Sequence, residues 1–249
     1  MGDNNEADWH HQMNIKSDLL AYNYSTVYEL YEGGPYEGSI DEAGYPNNED
    51  LASKINTGLG LINYTGHGSS EEFVTTGFNN NDVDALTNTE AFPFIFSVAC
   101  VNGEFMNSTC FAEKWLRAKD ADNKPTGAIA VIMSTINQSW NPPMSAQDEM
   151  NDLLTEQYDD NRPKSFGAIT MQGCMKMNDD YGSDGDHMTD TWMIFGDPSL
   201  IVRTDKVGNV SAEHSEVIPI GSESLTINSA NEGAIAALTI DNTLIAEGV

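Results

Sequence analysis

The chain predicts an α/β fold on a mostly parallel sheet, followed by the start of a small β module, and three observations carry that expectation. Residues 59–64 (LGLINY), 94–99 (FIFSVA) and 128–133 (AIAVIM) are short, nearly continuous apolar runs, the pattern of strands buried on both faces. Helix-like segments separate them, as in βαβ units. From residue 205 the composition shifts to Ser, Thr, Val and Ile in short alternation with frequent turns.

Taken in order, residues 1–12 are polar and carry a Trp9-His10-His11 cluster; adjacent imidazoles rarely face one metal ion without further ligands. Residues 13–20 read as a short helix and 26–31 as a strand, with Val27 and Leu30 alternating with aromatic partners. Residues 33–48 (GGPYEGSIDEAGYPNN) are turn-rich and form a surface loop. A helix over 50–56 then feeds the first apolar run. Within the polar stretch 69–88, Asn79-Asn80-Asn81-Asp82-Val83-Asp84 reads either as a Ca²⁺ loop or as a helix start. Residues 110–119 place Phe111, Trp115 and Leu116 at helical spacing, a core-facing stripe. Pro142-Pro143 opens a helix from 144 to about 158 with Met150, Leu153 and Leu154 inward. Residues 166–171 and 191–195 read as further strands around an acidic loop, 178–186 (NDDYGSDGD). That loop has the Asp and Gly richness of Ca²⁺ sites but no closing Glu at the EF-hand distance, and His187 beside it reads as a surface histidine.

The first two apolar runs end in reactive side chains. Thr65-Gly66-His67-Gly68 follows one and Cys100-Val101-Asn102-Gly103 the other. Sites in open α/β sheets assemble beyond the carboxyl ends of parallel strands, so adjacent strands would bring His67 and Cys100 together. A thiol becomes a strong nucleophile as thiolate, which a nearby imidazole favours, and the imidazole can then protonate a leaving amine. Gly66 and Gly68 permit a sharp turn whose N–H groups can face a developing oxyanion. Taken singly, Cys100 also reads as a small core residue and His67 as structural.

The surrounding words resemble the gingipain-like cysteine peptidases, clan-mates of the caspases. The blocks are NYTGHGS from Asn63, FPFIFSVACVNGEF from Phe92, CFAEKWLRA from Cys110, PTGAIAVIMSTINQSW from Pro125, QDEMN from Gln147 and DTWMIFGDPSLIVRT from Asp190. They span about residues 6–204 and continue more weakly beyond. The resemblance implies a caspase-like α/β/α sandwich with Cys100, rather than Cys110 or Cys174, as nucleophile and His67 as acid/base. The backbone N–H groups of Gly68 and Cys100 are the expected oxyanion donors. By the same resemblance Asp8 lies at the base of the primary specificity pocket, where a carboxylate can take a guanidinium through two hydrogen bonds. Trp140 and Met144 then clasp the stem of the basic side chain. Lysine-specific relatives carry an acid where this chain has Asn137, so the expected preference is Arg, with Lys the alternative.

The resemblance further implies residues 1–205 as a peptidase catalytic domain whose upstream subdomain, with a third catalytic acid, precedes Met1. Residues 206–249 are then a partial immunoglobulin-like β module, about forty residues being too few for a full sandwich of roughly a hundred. Two other functions stay open: a sortase-like transpeptidase of the same family, and a non-catalytic scaffold or adhesin fragment.

The formal net charge of -28, from 39 acidic and 11 basic residues, argues against nucleic acid or an anionic membrane as partner. The expected partners are protein and peptide substrates and the remainder of a longer precursor. Three cysteines do not make a paired disulfide framework, no apolar run reaches transmembrane length, and the N-terminus is no signal peptide. A secreted or cell-surface location fits the resemblance. Catalysis by thiol and imidazole calls for no cofactor, structural Ca²⁺ is left open, and no metal-ligand set is assigned.

Overall fold

The structure, a computed structural model, describes residues 6–22, 24–32, 46–202, 209–231, 233–241 and 243–248. The chain divides into two compact units, Met1–Thr204 and Asp205–Val249. The first contains α1 (Glu6–Tyr22), α2 (Asn48–Asn56), β1 (Leu61–Thr65), β2 (Glu72–Phe73), β3 (Phe78–Asn79), α3 (Asn80–Asp84) and β4 (Phe94–Val98). It continues with α4 (Phe111–Arg117), β5 (Ala130–Ser134), α5 (Asn141–Leu154), α6 (Phe166–Tyr181), α7 (Ser183–Thr189) and β6 (Trp192–Gly196).

The three apolar runs become β1, β4 and β5, which lie side by side in the order β1-β4-β5-β6. The β1–β4 and β4–β5 pairs are parallel, with Leu61 opposite Phe94 and Phe94 opposite Ala130, and β6 closes the sheet antiparallel to β5. Period-two alternation divides their side chains between two cores. Ile62, Tyr64, Ile95, Val131 and Met133 join α2, α3 and α4 through Leu51, Ile55, Val83, Phe111 and Trp115 on one side. Phe94, Phe96, Ala130 and Ile132 meet α5, α6 and α7 through Met150, Leu154, Phe166, Met177 and Met188 on the other. Both faces are covered, which is why these runs are continuously apolar. The α/β expectation holds, with the carboxyl ends of three parallel strands on one edge.

Several local expectations are corrected. Residues 166–171 are the first turns of α6, not a strand: Phe166, Ile169, Thr170, Gly173, Cys174 and Met177 are buried at three- and four-residue spacing, and Ser165 caps the helix by accepting from Ala168 N at 3.3 Å. The acidic loop over 178–186 is also mostly helical. α6 continues through it to Tyr181, Gly182 turns with φ +56°, and α7 begins at Ser183. Among the described residues no group of three or more His, Cys, Asp or Glu side chains is arranged to hold a metal ion. Residues 26–31 are irregular, with only Tyr31 in a β-bridge. Leu30 still enters the core, but the segment adds no strand to the four-stranded sheet. The alternatives at residues 79–84 resolve to a helix start: Asn79 Oδ1 accepts from Asn81 N, and the Asp82 carboxylate accepts from Asn79 N at 2.8 Å. Most of the 33–48 loop lies outside the described residues.

In the second unit β7 (Ala212–His214) pairs antiparallel with β8 (Ile227–Ser229), and β9 (Ala236–Ile240) with β10 (Thr243–Gly248). These are small two-stranded sheets, and Val210, Ile220, Ile235 and Leu244 among their neighbours are exposed.

Candidate active site

β1 ends at Thr65, and the chain turns at Gly66, whose N–H donates to Val98 O at the end of β4 (3.1 Å). A Cβ at Gly66 would lie 2.7 Å from Thr75 Oγ1 and 2.8 Å from the Tyr64 hydroxyl, so this turn has no room for a side chain. His67 follows and is exposed. Its carbonyl accepts from the Tyr64 hydroxyl at 2.5 Å and from Val74 N at 3.1 Å. Gly68 forms an antiparallel bridge with Phe73, flanked by the Val74 N to His67 O and Ser69 N to Glu72 O bonds. That puts Gly68 in the non-hydrogen-bonded position, with its N–H facing away from the Phe73 segment.

On the neighbouring strand, Cys100 stands two residues beyond β4 and is half-buried. The turn after it is strained: Val101, a β-branched residue, has φ +50°. Val101 N donates to Ile136 O (3.0 Å) and Gly103 N to Ser134 O (2.8 Å), fastening the turn to the end of β5. The His67 and Cys100 loops touch at Gly68, where a Cβ would sit 2.6 Å from Cys100 O and 2.8 Å from Ala99 Cβ. The two sequence-predicted oxyanion residues are therefore packed backbone to backbone.

The third strand end brings Trp140 to the same place. Its indole meets the His67 ring edge to face at 5.4 Å between centroids, and Gln138 O lies 3.9 Å from Cys100 Sγ. Trp140 immediately precedes α5, and Met144, half-buried in the first turn, donates its N–H to Trp140 O at 3.2 Å. Asn137 is exposed.

Asp8 is almost fully buried rather than solvated. It shares one face of α1 with Gln12, Ile15 and Leu19, all buried at helical spacing. Gln12 Nε2 donates to Thr65 Oγ1 (2.7 Å), two residues before His67. The same junction holds Gln147 of α5, fully buried, whose Oε1 accepts from Thr65 Oγ1 at 2.7 Å and Gln12 at 3.1 Å, while Nε2 donates to Tyr64 O and Phe96 O. His11 Nε2 lies 2.9 Å from that Oε1, and burial holds the imidazole below its ordinary pKa. His11 is thus engaged with Gln147, and no cluster capable of holding a metal forms around the Trp9-His10-His11 segment among the described residues.

The other two thiols differ from Cys100 in setting. Cys110 is buried just before α4, and burial, countered in part by hydrogen bonds, pushes its thiol up. Cys174 is buried in α6, and desolvation pushes it up to about 11. Neither supplies a ready thiolate near neutral pH.

A family model described as peptidase family C25 matches residues 1–203. The chain belongs to peptidase family C25. Gingipain R2 of Porphyromonas gingivalis is 40% identical over 99% of this chain and 32% of its own length. Gingipain R1 of the same organism is also 40% identical over 99% of this chain, here 24% of the relative. The chain thus spans a third or less of these curated relatives. Among solved structures, that of the Arg specific cysteine proteinase gingipain R matches with a TM-score of 0.82 at 39% identity, over 99% of this chain and 54% of the other. The mostly parallel sheet flanked by helices is the architecture of that C25 structure.

Sequence reading of this C25 chain missed three polar residues beneath the site: Tyr64, Asn102 and Gln147. Asn102 Nδ2 donates to Ser69 O (2.7 Å) and Glu72 O (2.9 Å), and its Oδ1 accepts from Ser97 Oγ (3.0 Å). The one available signal was a polar residue inside an otherwise apolar or glycine-rich word, as in NYTGHGS, ACVNGEF and QDEMN.

Proposed function

We propose that the chain is the catalytic part of a secreted cysteine endopeptidase that cleaves after Arg, with Cys100 as nucleophile and His67 as acid/base. Membership of peptidase family C25 supports peptide-bond hydrolysis. The observation that carries the residue assignment is that His67 and Cys100 follow the carboxyl ends of adjacent parallel strands, β1 and β4, whose exit loops pack together at Gly68.

In this reading the Cys100 thiolate attacks the scissile carbonyl and forms a carbon–sulfur bond. The oxyanion that develops is met by the N–H groups of Gly68 and Cys100. Collapse breaks the carbon–nitrogen bond while His67 gives its proton to the leaving amine. Water then attacks the acyl-enzyme, His67 takes its proton, and the acid leaves with Cys100 restored as thiolate. The nucleophile and the proton carrier are both side chains, so the reaction needs no cofactor.

Asp8 serves as the guanidinium partner and Trp140 and Met144 as the walls of the pocket. Support comes from the burial of Asp8 on the α1 face that reaches Thr65, and from the contact between Trp140 and His67. The 39% identity to the Arg specific cysteine proteinase gingipain R favours Arg. The natural partners are protein substrates and the remainder of the chain's own precursor; a solved complex joins the pro- and mature domains of RgpB from P. gingivalis.

The test is labelling by peptidyl-Arg and peptidyl-Lys chloromethyl ketones, with the adduct located by peptide mass spectrometry. Arg-selective modification of Cys100, lost in His67→Ala, is the expected result. Equal labelling by the Lys reagent would remove Asp8 as selector. A folded chain that takes no label at Cys100 would overturn the catalytic assignment.

A further inference from the structure

We propose that the Tyr64 hydroxyl and the Asn102 carboxamide are positioning residues for the reaction, clamping the His67 loop from two sides so that it stays in register with Cys100. The inference rests on the Cys100–His67 assignment above.

His67 is exposed at the tip of a turn whose short antiparallel contacts begin only at Gly68 and Phe73. What fixes the backbone of that turn comes largely from below. The Tyr64 hydroxyl donates to His67 O at 2.5 Å, accepts from Thr75 N at 3.2 Å and lies 3.0 Å from Thr75 Oγ1. Its ring is fully buried and stacks on Phe73 with centroids 4.1 Å apart, so the hydroxyl has a single place to be. Tyr64 belongs to β1, which pairs in parallel along its whole length with β4, the strand that leads to Cys100.

The second grip comes from the nucleophile's own turn. Asn102 is fully buried two residues after Cys100. Both of its amide hydrogens are spent on the other loop, at Ser69 O and Glu72 O, while Ser97 Oγ of β4 holds its Oδ1 at 3.0 Å. Neighbouring α4 repeats the link through its backbone: Phe111 N donates to Ser70 O (2.8 Å) and Ala112 N to Asn102 O (3.0 Å). The carbonyls of residues 67, 69 and 72 are thus gripped by one side chain from β1 and one from the turn that follows β4.

A buried Tyr and a buried Asn that served packing alone would distribute their polar atoms over whatever lay nearby. Here both donate into one loop, on the two sides of Gly68, the residue that lies against Cys100 O. Loosening either grip leaves the strands intact and frees the separation of imidazole and thiol, on which nucleophile activation depends.

The experiment measures hydrolysis of a peptidyl-Arg amide and the rate of Cys100 alkylation by iodoacetamide from pH 5 to 9. The chain is compared with Tyr64→Phe, Asn102→Asp, His67→Ala and the control Met177→Ala, which weakens the core on the opposite side of the sheet. Alkylation requires no turnover, so it reads the pair directly. Tyr64→Phe and Asn102→Asp are expected to lower kcat about tenfold to a hundredfold, the effect of a misplacement on the order of 1 Å, with KM held within about twofold. Their alkylation profiles should move towards that of His67→Ala. Met177→Ala should lower Tm and keep both the profile and kcat. Clamp variants with the wild-type profile and kcat, or with losses that only follow the folded fraction as in Met177→Ala, overturn the clamp and leave the dyad standing. A wild-type profile that His67→Ala does not alter overturns the dyad and the clamp together.

Discussion

The Trp140 indole meets the His67 imidazole edge to face, with ring centroids 5.4 Å apart and planes inclined by 75°. The contact joins the loop after β5 to the loop after β1, across the intervening β4 that leads to Cys100. In the proposed reading Trp140 is both a wall for a substrate side chain and a stop for the His67 ring. Trp140→Ala should lower kcat/KM on peptidyl-Arg amides about tenfold, equivalent to the loss of one aromatic contact. Trp140→Phe should recover most of it. A Trp140→Ala protein with wild-type kcat/KM would show that neither role operates.

The thiols should separate by reactivity. Burial pushes Cys174 up to about 11 and raises Cys110, so both remain protonated at pH 8, while Cys100 stands half-buried at a loop. Iodoacetamide at pH 8 should modify Cys100 first in the folded chain and all three at similar rates in concentrated urea. Equal rates in the folded chain, followed by mass spectrometry of the peptides, would count against the burial of Cys110 and Cys174.

The sheet was legible in the sequence because three of its strands are buried on both faces, and such strands leave short apolar runs, rich in Ile, Val and Phe and bounded by turn residues. His67 and Cys100 stood out because each follows such a run, and the structure packs their two loops together at Gly68. Residues 166–171 were misread because six residues of a helix with small and apolar members, Phe166-Gly167-Ala168-Ile169-Thr170-Met171, carry too little periodicity to separate the two structures. The acidic stretch at 178–186 reads as a loop because Gly182, Ser183 and Gly185 are turn formers, whereas α6 and α7 run through it on either side of Gly182. The contacts of Tyr64, Asn102 and Gln147 were invisible, since each depends on partners from separate elements, up to 136 residues away for the contact between His11 and Gln147.

Gly68 should tolerate no side chain. An alanine Cβ there would lie 2.6 Å from Cys100 O, 2.8 Å from Ala99 Cβ and 2.9 Å from Asn102 Nδ2, and two of these neighbours are backbone or fixed by backbone. Gly68→Ala must push the His67 and Cys100 loops apart. The expected result is a folded chain, by near-UV circular dichroism, with kcat lowered at least about a hundredfold. Unchanged kcat would mean that the two loops have slack and that their contact does not set the dyad.

The acidic groove beside α5 gives a pH dependence of stability. Asp152 is raised to about 6, first by desolvation and then by repulsion from Asp148, Asp18 and Glu149. Lys176 and His11 also line this groove, with Lys176 committed to Asp180. The folded chain therefore holds a proton on Asp152 more tightly than the unfolded chain, whose carboxyl titrates near 3.8. By linkage, this group's contribution falls as pH rises from about 4 through about 6, and its full cost is present at pH 8. Asp152→Asn removes that cost. Because Asp152 is partly exposed, solvent screening reduces the gain, and Tm should rise by about 1–2 °C at pH 8. At pH 4.5 most of the gain should vanish, because the wild-type carboxyl is then protonated in the folded state. Thermal melts of both proteins at the two pH values decide the matter: a gain of the same size at pH 4.5 and pH 8 would assign it to packing of the amide rather than to relief of charge.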